Sequence, residues 1–179
     1  MDDREQDEMC QGDPGQAPNR GQPSGRRRKP RNQKPVRDCA LTLLEYRDRT
    51  EQEMRRKLTE REYSPREVEE AIAFLAEYHY LDDEGYARRY VRTHSGRKSI
   101  RRLRAELEQK GISRDYIDSA LEETAVDEDF QIACWIRKKG YVPGEYLEQG
   151  QYRKLAASLG RRGYSFDAIR RVMDGGEIG

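Results

Sequence analysis

The sequence has few of the residues from which a large apolar core or a disulfide framework is built. Only 34% of its 179 residues are hydrophobic, and the longest apolar run, Ala71 to Ala76, is far too short to cross a bilayer. Its three cysteines, Cys10, Cys39 and Cys134, match neither a CxxC metal site nor a disulfide framework, so we expect reduced thiols. The acidic amino terminus lacks the apolar core of a secretory signal. These absences predict a cytoplasmic protein without a large spherical core.

Motifs for catalysis and for cofactor binding are also missing. The sequence contains neither a GxxxxGKS or GxGxxG phosphate loop nor a GxSxG nucleophile motif. His79 and His94 are isolated and lack metal-ligand spacing. Asp82, Asp83 and Glu84 could form a magnesium or nuclease triad, but acidic residues are common at helix starts, and we interpret them as capping residues. We therefore expect no catalytic residue, no metal, no cofactor and no enzymatic activity.

Charge is what the sequence has in abundance, and it is segregated along the chain. Charged residues make up 39% of the sequence, yet the net charge is only +1. The segment from Glu62 to Glu84 holds eight acids and one base, whereas Gly85 to Ala105 holds eight bases and no acid. Such runs are typical of solvated helix faces, and adjacent runs of opposite sign also favour a partner surface with patterned charge. Any attraction to nucleic acid must come from local patches.

The stretch from Tyr80 to Ile112 predicts two consecutive helices. Asp82 or Asp83 is placed to cap the first helix, and Ser99 is placed to cap the second. Gly111 supplies the stop expected just past a helix end. This stretch contains the basic run, so the basic residues are predicted to lie on these helices.

The second half of this stretch recurs in the chain. The segment Leu58 to Ile72 matches Leu107 to Leu121, 49 residues later, and Leu159 to Met173, a further 52 residues on. In each copy a helix ends, an aromatic residue or isoleucine is followed by serine, and a new helix begins. Six positions match within these segments, and a seventh lies upstream at Met54, Leu103 and Leu155. Seven matched positions in three copies predict tandem three-helix units. Because a unit of about fifty residues can hardly bury its own apolar face, we expect an all-α, elongated, curved, solenoid-like array of stacked units.

The chain accordingly divides into four segments. Residues 1–36 form a charged leader that we expect to be disordered, because it has too few apolar residues to offset its ordering entropy. Three-helix repeats are predicted at residues 37–81, 82–125 and 126–179. The basic end of the leader, Gly25 to Pro35, fits either a flexible arm for an anionic polymer or a solubilising leader.

The order and spacing of residues along these repeats match those of a known family. The matching residues are Tyr80-Leu81-Asp82-Asp83, Tyr86-Ala87, Tyr90-Val91, Gly96, Ile100, Leu103, Leu107, Lys110-Gly111-Ile112, Ala40-Leu41 through Arg47, Lys57-Leu58 and Arg162-Gly163-Tyr164. Over residues 38–173 the chain resembles the bacterial regulatory protein RecX family. Ser99 departs from the pattern, since the family often has Arg there, and the leader has no counterpart.

The resemblance implies a regulator of the RecA recombinase. Members of this family lie in the helical groove of the RecA–DNA filament and bridge its protomers. They usually restrain ATP hydrolysis, strand exchange and coprotease activity. Such a protein would modulate DNA repair and the SOS response, would bind single- or double-stranded DNA weakly, and would act as a monomer. An array with separated acidic and basic stretches is compatible with a groove lined by protein and phosphate.

Basic residues of the second and third repeats are the candidates for filament binding. Arg97, Arg101 and Arg104 recur at helical spacing and form a stripe that can make bidentate contacts to phosphate or carboxylate. The full candidate set is Arg88, Arg89, Arg92, Arg97, Lys98, Arg101, Arg102, Arg104, Arg137, Lys138 and Lys139.

Other interpretations of these residues stay open. Arg88, Arg89 and Arg92 could pair with the acidic helix before them, and the basic cluster from Arg137 to Lys139 could be solvated surface. The chain as a whole could instead be a plain DNA-binding helical module or a repeat scaffold for another protein.

Overall fold

The structure, a computed structural model, describes residues 34–175. Most of the predicted leader, at residues 1–36, lies outside the described residues, so its expected disorder stays a prediction. Within residues 34–175 the chain is all-helical and has no strand. The helices are α1 (Val36–Tyr46), α2 (Glu51–Glu60), α3 (Pro65–Glu77), α4 (Asp83–His94), α5 (Ile100–Gln109), α6 (Arg114–Glu123), α7 (Glu128–Lys138), α8 (Gln149–Arg161) and α9 (Phe166–Met173).

The helices are grouped in threes, and each group has its own apolar core. The first unit is α1–α3, the second α4–α6 and the third α7–α9, and the helix pairs in extensive contact lie within these units. The fully enclosed core residues include Met54, Leu58 and Leu75 in the first unit, Leu103, Leu107 and Ile117 in the second, and Ile132, Ile136 and Leu159 in the third. The predicted tandem three-helix repeat is confirmed. The exact repeat boundaries stay a prediction.

The predicted helix starts of the second unit are confirmed. The Asp82 carboxylate accepts a hydrogen bond from the Gly85 N–H at 2.8 Å and caps α4. The Ser99 hydroxyl accepts from the Arg102 N–H at 3.3 Å and caps α5. These side chains satisfy backbone donors that a helix start leaves without an intrahelical partner. The basic run is therefore divided between α4, α5 and the turn that joins them.

The first and second units meet through polar contacts at the start of α2. The Thr50 hydroxyl caps α2 and donates to the Lys110 carbonyl, which ends α5, at 2.6 Å. One residue on, the Glu51 N–H donates to the Asp83 carboxylate, in the first turn of α4, at 3.0 Å. Thr50 is completely buried. Its hydroxyl acts as acceptor for its own helix and as donor for the next unit, which one hydrogen and two lone pairs permit.

The second and third units meet in the same way at the start of α5. The Ser99 hydroxyl donates to the Arg162 carbonyl, which ends α8, at 3.0 Å. The Ile100 N–H donates to the Glu128 carboxylate, in the first turn of α7, at 2.8 Å. The junction is therefore repeated along the chain together with the helices. The expectation that a unit can hardly bury its own apolar face is wrong, because each unit has an apolar core of its own. The hydrogen bonds between the units are formed by polar groups.

A glycine at each junction allows this close approach. Gly111 and Gly163 follow the two accepting carbonyls and have φ angles of +83° and +94°. A Cβ added at Gly111 would lie 2.4 Å from the Gln52 Cβ, and one at Gly163 would lie 2.6 Å from the Ser99 Oγ. The corresponding residue of the first unit is Glu62, with φ of 63°. A side chain fits there because no described unit docks on that end.

Candidate functional site

The eight candidate basic residues of the second unit divide into paired and unpaired side chains. Five form ion pairs: Arg88 with Glu84 and Glu123, Arg89 with Asp48 and Asp82, Lys98 and Arg102 with Glu106, and Arg104 with Asp118. The other three, Arg92, Arg97 and Arg101, are exposed and form no ion pair within residues 34–175. These three can meet a ligand without first breaking an ion pair.

The α4–α5 connection places these three arginines close together along the chain. Arg92 lies in the last turn of α4, Arg97 in the connecting turn and Arg101 in the first turn of α5. We call Arg92, Arg97 and Arg101 the turn arginines. Exposed guanidinium groups keep their five donors available for phosphate or carboxylate oxygens. The turn arginines are the part of the predicted basic stripe that is best placed for binding.

Arg104 has a structural contact that the predicted stripe did not include. Its guanidinium pairs with Asp118 of α6, inside the second unit. The first unit contains the corresponding pair between Arg55 of α2 and Glu69 of α3, at 3.0 Å. Both partners are shifted by 49 residues, so the sequence repeat carried the signal for this pair. Arg104 therefore helps to hold α5 against α6.

Lys98 and Arg102 hold a partly buried carboxylate. Glu106 accepts hydrogen bonds from Lys98 at 2.6 Å, from the Tyr90 hydroxyl at 2.6 Å and from Arg102 at 3.0 Å. Burial would raise the pKa of Glu106, but these three hydrogen bonds outweigh it and lower the pKa to about 2. Two of the predicted binding cations thus stabilise the contact between α4 and α5.

The basic residues of the third unit are mostly without acidic partners. Arg137 and Lys138 are exposed at the end of α7, and neither forms an ion pair within the described part of the chain. The Lys139 ammonium lies over the Trp135 ring, 5.4 Å from its centroid, and the Arg162 guanidinium lies at the same distance from that ring. Trp135 is half-buried, and its ring makes cation–π contacts with both of these side chains. This arrangement was not predicted for Arg162.

A buried ion pair at the first junction was missed from the sequence. Thr50 to Glu53 has capping-box spacing, and Thr50 does cap α2, but the Glu53 side chain binds Lys110 of the second unit instead. Their Nζ–Oε1 distance is 2.8 Å, and Glu53 is 9% exposed. Burial would raise the pKa of Glu53, yet the hydrogen bond from Lys110 outweighs it and the pKa falls below its usual range. The pair joins α2 to the end of α5.

Comparison with known proteins identifies the family. Residues 37–75 match the family model described as "RecX, first three-helix domain", and residues 82–121 match "RecX, second three-helix domain". The regulatory protein RecX of Vibrio vulnificus (strain CMCP6) is 36% identical over 137 residues, which span 76% of this chain and 89% of that protein. The chain belongs to the RecX family. The resemblance expected from the sequence is confirmed.

Other RecX proteins support this assignment. The regulatory protein RecX of Cronobacter sakazakii (strain ATCC BAA-894) is 35% identical over 149 residues, covering 75% of this chain and 88% of that protein. The crystal structure of RecX from Lactobacillus salivarius superposes with a TM-score of 0.65, covering 78% of this chain and 93% of that chain. Its sequence identity is 23%, so this similarity shows that the fold is shared. The names of these relatives describe them as regulatory proteins.

The three acidic residues at the start of α4 have different roles, and Glu84 forms an ion pair with Arg88 instead of a cap. Asp82 caps its own helix, and Asp83 accepts the Glu51 N–H across the first junction. Between residues 34 and 175 no group of three or more His, Cys, Asp or Glu side chains could hold a metal ion. In the same part of the chain no helix is long and apolar enough to cross a membrane.

Proposed function

We propose that this chain regulates the RecA recombinase. It binds as a monomer in the groove of the RecA–DNA filament, in the cytoplasm, and inhibits the ATPase, strand-exchange and coprotease activities of RecA. It thereby modulates homologous recombination, DNA repair and the SOS response. Membership of the RecX family, over 76% of this chain and 89% of a relative, carries the proposal. The protein acts by occupying a surface rather than by catalysis.

The distribution of unpaired charge supports a contact with the filament. The turn arginines, together with Arg137 and Lys138, are exposed and have no acidic partner among residues 34–175. A groove lined by phosphates and by protein carboxylates offers the oxygens that such side chains bind bidentately. The paired candidates, such as Arg88 and Arg104, would first have to leave a carboxylate. We therefore assign the primary filament contact to the turn arginines.

An ATPase assay of RecA on single-stranded DNA tests this function. We expect the full chain to lower the rate of ATP hydrolysis at a stoichiometric ratio to RecA. We expect the double variant Arg97→Glu, Arg101→Glu to need roughly tenfold more protein for the same effect, because two attractive contacts become repulsive. Arg66→Glu is a control for a single charge reversal elsewhere on the chain, since Arg66 is an exposed arginine of the first unit and is paired with Glu70.

Two results of this assay would contradict the proposal at different levels. An unchanged rate of hydrolysis with the unsubstituted chain would reject RecA regulation itself. Unchanged potency of the double variant, with helical content verified by circular dichroism, would reject the turn arginines as the contact.

A plain DNA-binding module is the second candidate function. The surplus of unpaired cations in the third unit, among them Arg137, Lys138 and Arg153, favours it. This alternative predicts tight binding to naked duplex DNA, with affinity that falls steeply with salt. The net charge of +1 argues against it. Gel-shift titrations without RecA distinguish the two, because a filament regulator binds naked duplex only weakly.

A further inference from the structure

The two junctions between units differ at one pair of corresponding positions. At the first junction, Glu53 is the third residue of α2, and it binds Lys110, the residue that ends α5. At the second junction the third residue of α5 is Arg102, and the residue that ends α8 is Arg162. The N–H of Arg102 bonds to the capping Ser99 just as the N–H of Glu53 bonds to the capping threonine. An attractive pair is thus replaced by two cations.

Arg102 lies near the residue that follows Arg162 at this junction. A Cβ added at Gly163, the residue after Arg162, would lie 3.7 Å from the Arg102 Cβ. Each guanidinium group already has a partner, and Arg102 meets its partner through Nε, which leaves the N–H groups of its two terminal nitrogens for a ligand. Arg102 donates to Glu106 at 3.0 Å, and Arg162 lies over the Trp135 ring beside Lys139.

The nearby acids are already engaged. Glu128 accepts the Ile100 N–H across the junction, and Glu106 is shared by Tyr90, Lys98 and Arg102. In the described part of the chain no ion pair joins the second unit to the third, whereas the first junction has two, Lys110 with Glu53 and Arg89 with Asp48. The second junction therefore has excess positive charge at the position where the first has a buried carboxylate.

We propose that the second junction binds a phosphate group between the guanidinium groups of Arg102 and Arg162, with Lys139 as a third cation. The phosphate supplies the negative charge that the Glu53 carboxylate supplies at the first junction. A phosphate presents oxygens on several sides and can accept hydrogen bonds from two guanidinium groups at once. The group can come from free phosphate or from a nucleic-acid backbone.

Binding of phosphate would strengthen the contact between the second and third units. Without it, the junction depends on hydrogen bonds: Ser99 to the Arg162 carbonyl, the Ile100 N–H to Glu128, and the Gln131 amide to the Ser95 carbonyl. A ligand that binds only the folded state raises the midpoint of thermal unfolding by mass action. The phosphate site thus makes the stability of this junction depend on a ligand.

Thermal unfolding of the full chain, at constant ionic strength and without RecA, tests the proposal. We expect saturating phosphate or oligothymidylate to raise the Tm by about 2–4 °C. In Arg102→Glu the new carboxylate faces Arg162 as Glu53 faces Lys110, so we expect the response to phosphate to disappear. The control Arg66→Glu, with the same change in charge on the first unit, keeps the response.

A second variant keeps the test valid if Arg102→Glu does not fold. Arg162→Gln removes the guanidinium but keeps the backbone carbonyl that accepts from Ser99. A response to inorganic phosphate alone assigns a free anion, and a response only to oligothymidylate assigns a backbone phosphate; both support the site. Three results would overturn the site. These are an unchanged Tm with every ligand, a Tm that rises only with polyglutamate, which carries carboxylates and no phosphate, and a rise in Tm that is as large in both variants as in the unsubstituted chain. Because this assay contains no RecA, a result that overturns the phosphate site does not overturn RecA regulation, which the ATPase assay tests separately.

Discussion

Lys110 is the residue at which most of the first junction converges. Its carbonyl accepts from Thr50, its ammonium binds Glu53, and the same ammonium lies 5.4 Å from the centroid of the Tyr86 ring. Burial would lower the pKa of Lys110, but hydrogen bonds to Glu53 and Tyr86 outweigh it and raise the pKa. The ammonium therefore stays charged at neutral pH. Removing Glu53 would leave the Lys110 ammonium without its carboxylate partner, whereas removing Lys110 would leave Glu53 with the more distant Arg47 guanidinium, at 3.8 Å.

The lowered pKa of Glu106 predicts how the free energy of unfolding changes with pH. Its pKa is about 2 in the folded chain against an ordinary 4.5, so its contribution is present above pH 4.5 and is lost as the pH falls through the folded value. We expect Glu106→Gln to be less stable at pH 7, by roughly 3 kcal/mol at most, and to lose less stability between pH 4.5 and pH 2. Urea unfolding across a pH series measures this.

The control for this series is Glu45→Gln, because Glu45 is exposed on α1. We expect its pH dependence to match that of the unsubstituted chain. Equal losses of stability on acidification in Glu106→Gln and in the unsubstituted chain would contradict the assigned role of this carboxylate.

At the scale of elements, α2 and α5 have the same double role. Each is the middle helix of its own unit, and each presents its first turn to the end of the middle helix of the next unit. The helix start needs a capping side chain, and the neighbouring helix end needs a donor for an unpaired carbonyl. One buried hydroxyl, of Thr50 or Ser99, supplies both. This explains why the caps at these two helices recur with the repeat.

Substitution of the first of these caps should cost more than loss of a simple cap. Thr50→Ala removes the α2 cap and leaves the Lys110 carbonyl without its donor, so we expect a loss of about 2–3 kcal/mol in the free energy of unfolding. Ser165→Ala removes only the cap of α9 and should cost about 1 kcal/mol. Thr50→Ser keeps the hydroxyl and should recover most of the loss.

Chemical denaturation of the three variants measures these costs. Equal costs for Thr50→Ala and Ser165→Ala would show that the hydrogen bond across the junction contributes nothing to stability.

At the scale of the whole described chain, three small apolar cores are joined by polar junctions. Apolar burial is concentrated within units, so we expect the loss of core packing in one unit to have a limited effect on the next. Much of the segregated charge is also used inside the chain, as in Arg88 with Glu84 and Arg104 with Asp118. The charge that remains for a partner is smaller than the basic run in the sequence suggests.

This organisation predicts local responses to core substitutions. Leu159 is fully buried in the third unit, and Leu159→Ala should cost about 2–5 kcal/mol through lost burial and the cavity left behind. We expect hydrogen exchange to increase in α7–α9 while the amides of α2 and α3 keep their protection. Leu58→Ala, at the matched position of the first unit, should give the reverse pattern.

Hydrogen exchange with mass spectrometry of both variants makes this comparison. A uniform loss of protection in all three units after either substitution would show that the chain unfolds as one cooperative body.

Residues of the candidate site could be predicted from the sequence only in part. The basic run identified the turn arginines, and the shift of 49 residues relates Arg104 and Asp118 to Arg55 and Glu69 of the first unit. Whether a given cation is free depends on which acid lies beside it in space. That is why sequence spacing did not separate the turn arginines from Arg104.

Local interactions determined the helical units, and the amino-acid sequence alone was enough to predict them. Apolar spacing, capping residues such as Ser99, and the glycine after α5 act within a few residues, so their pattern is visible along the chain. Only the tertiary structure decided how the units join. Lys110 lies 57 residues from Glu53, and Arg162 lies 63 from Ser99. Partners this far apart in sequence are brought together by the packing of whole helices. Local sequence patterns do not predict that packing.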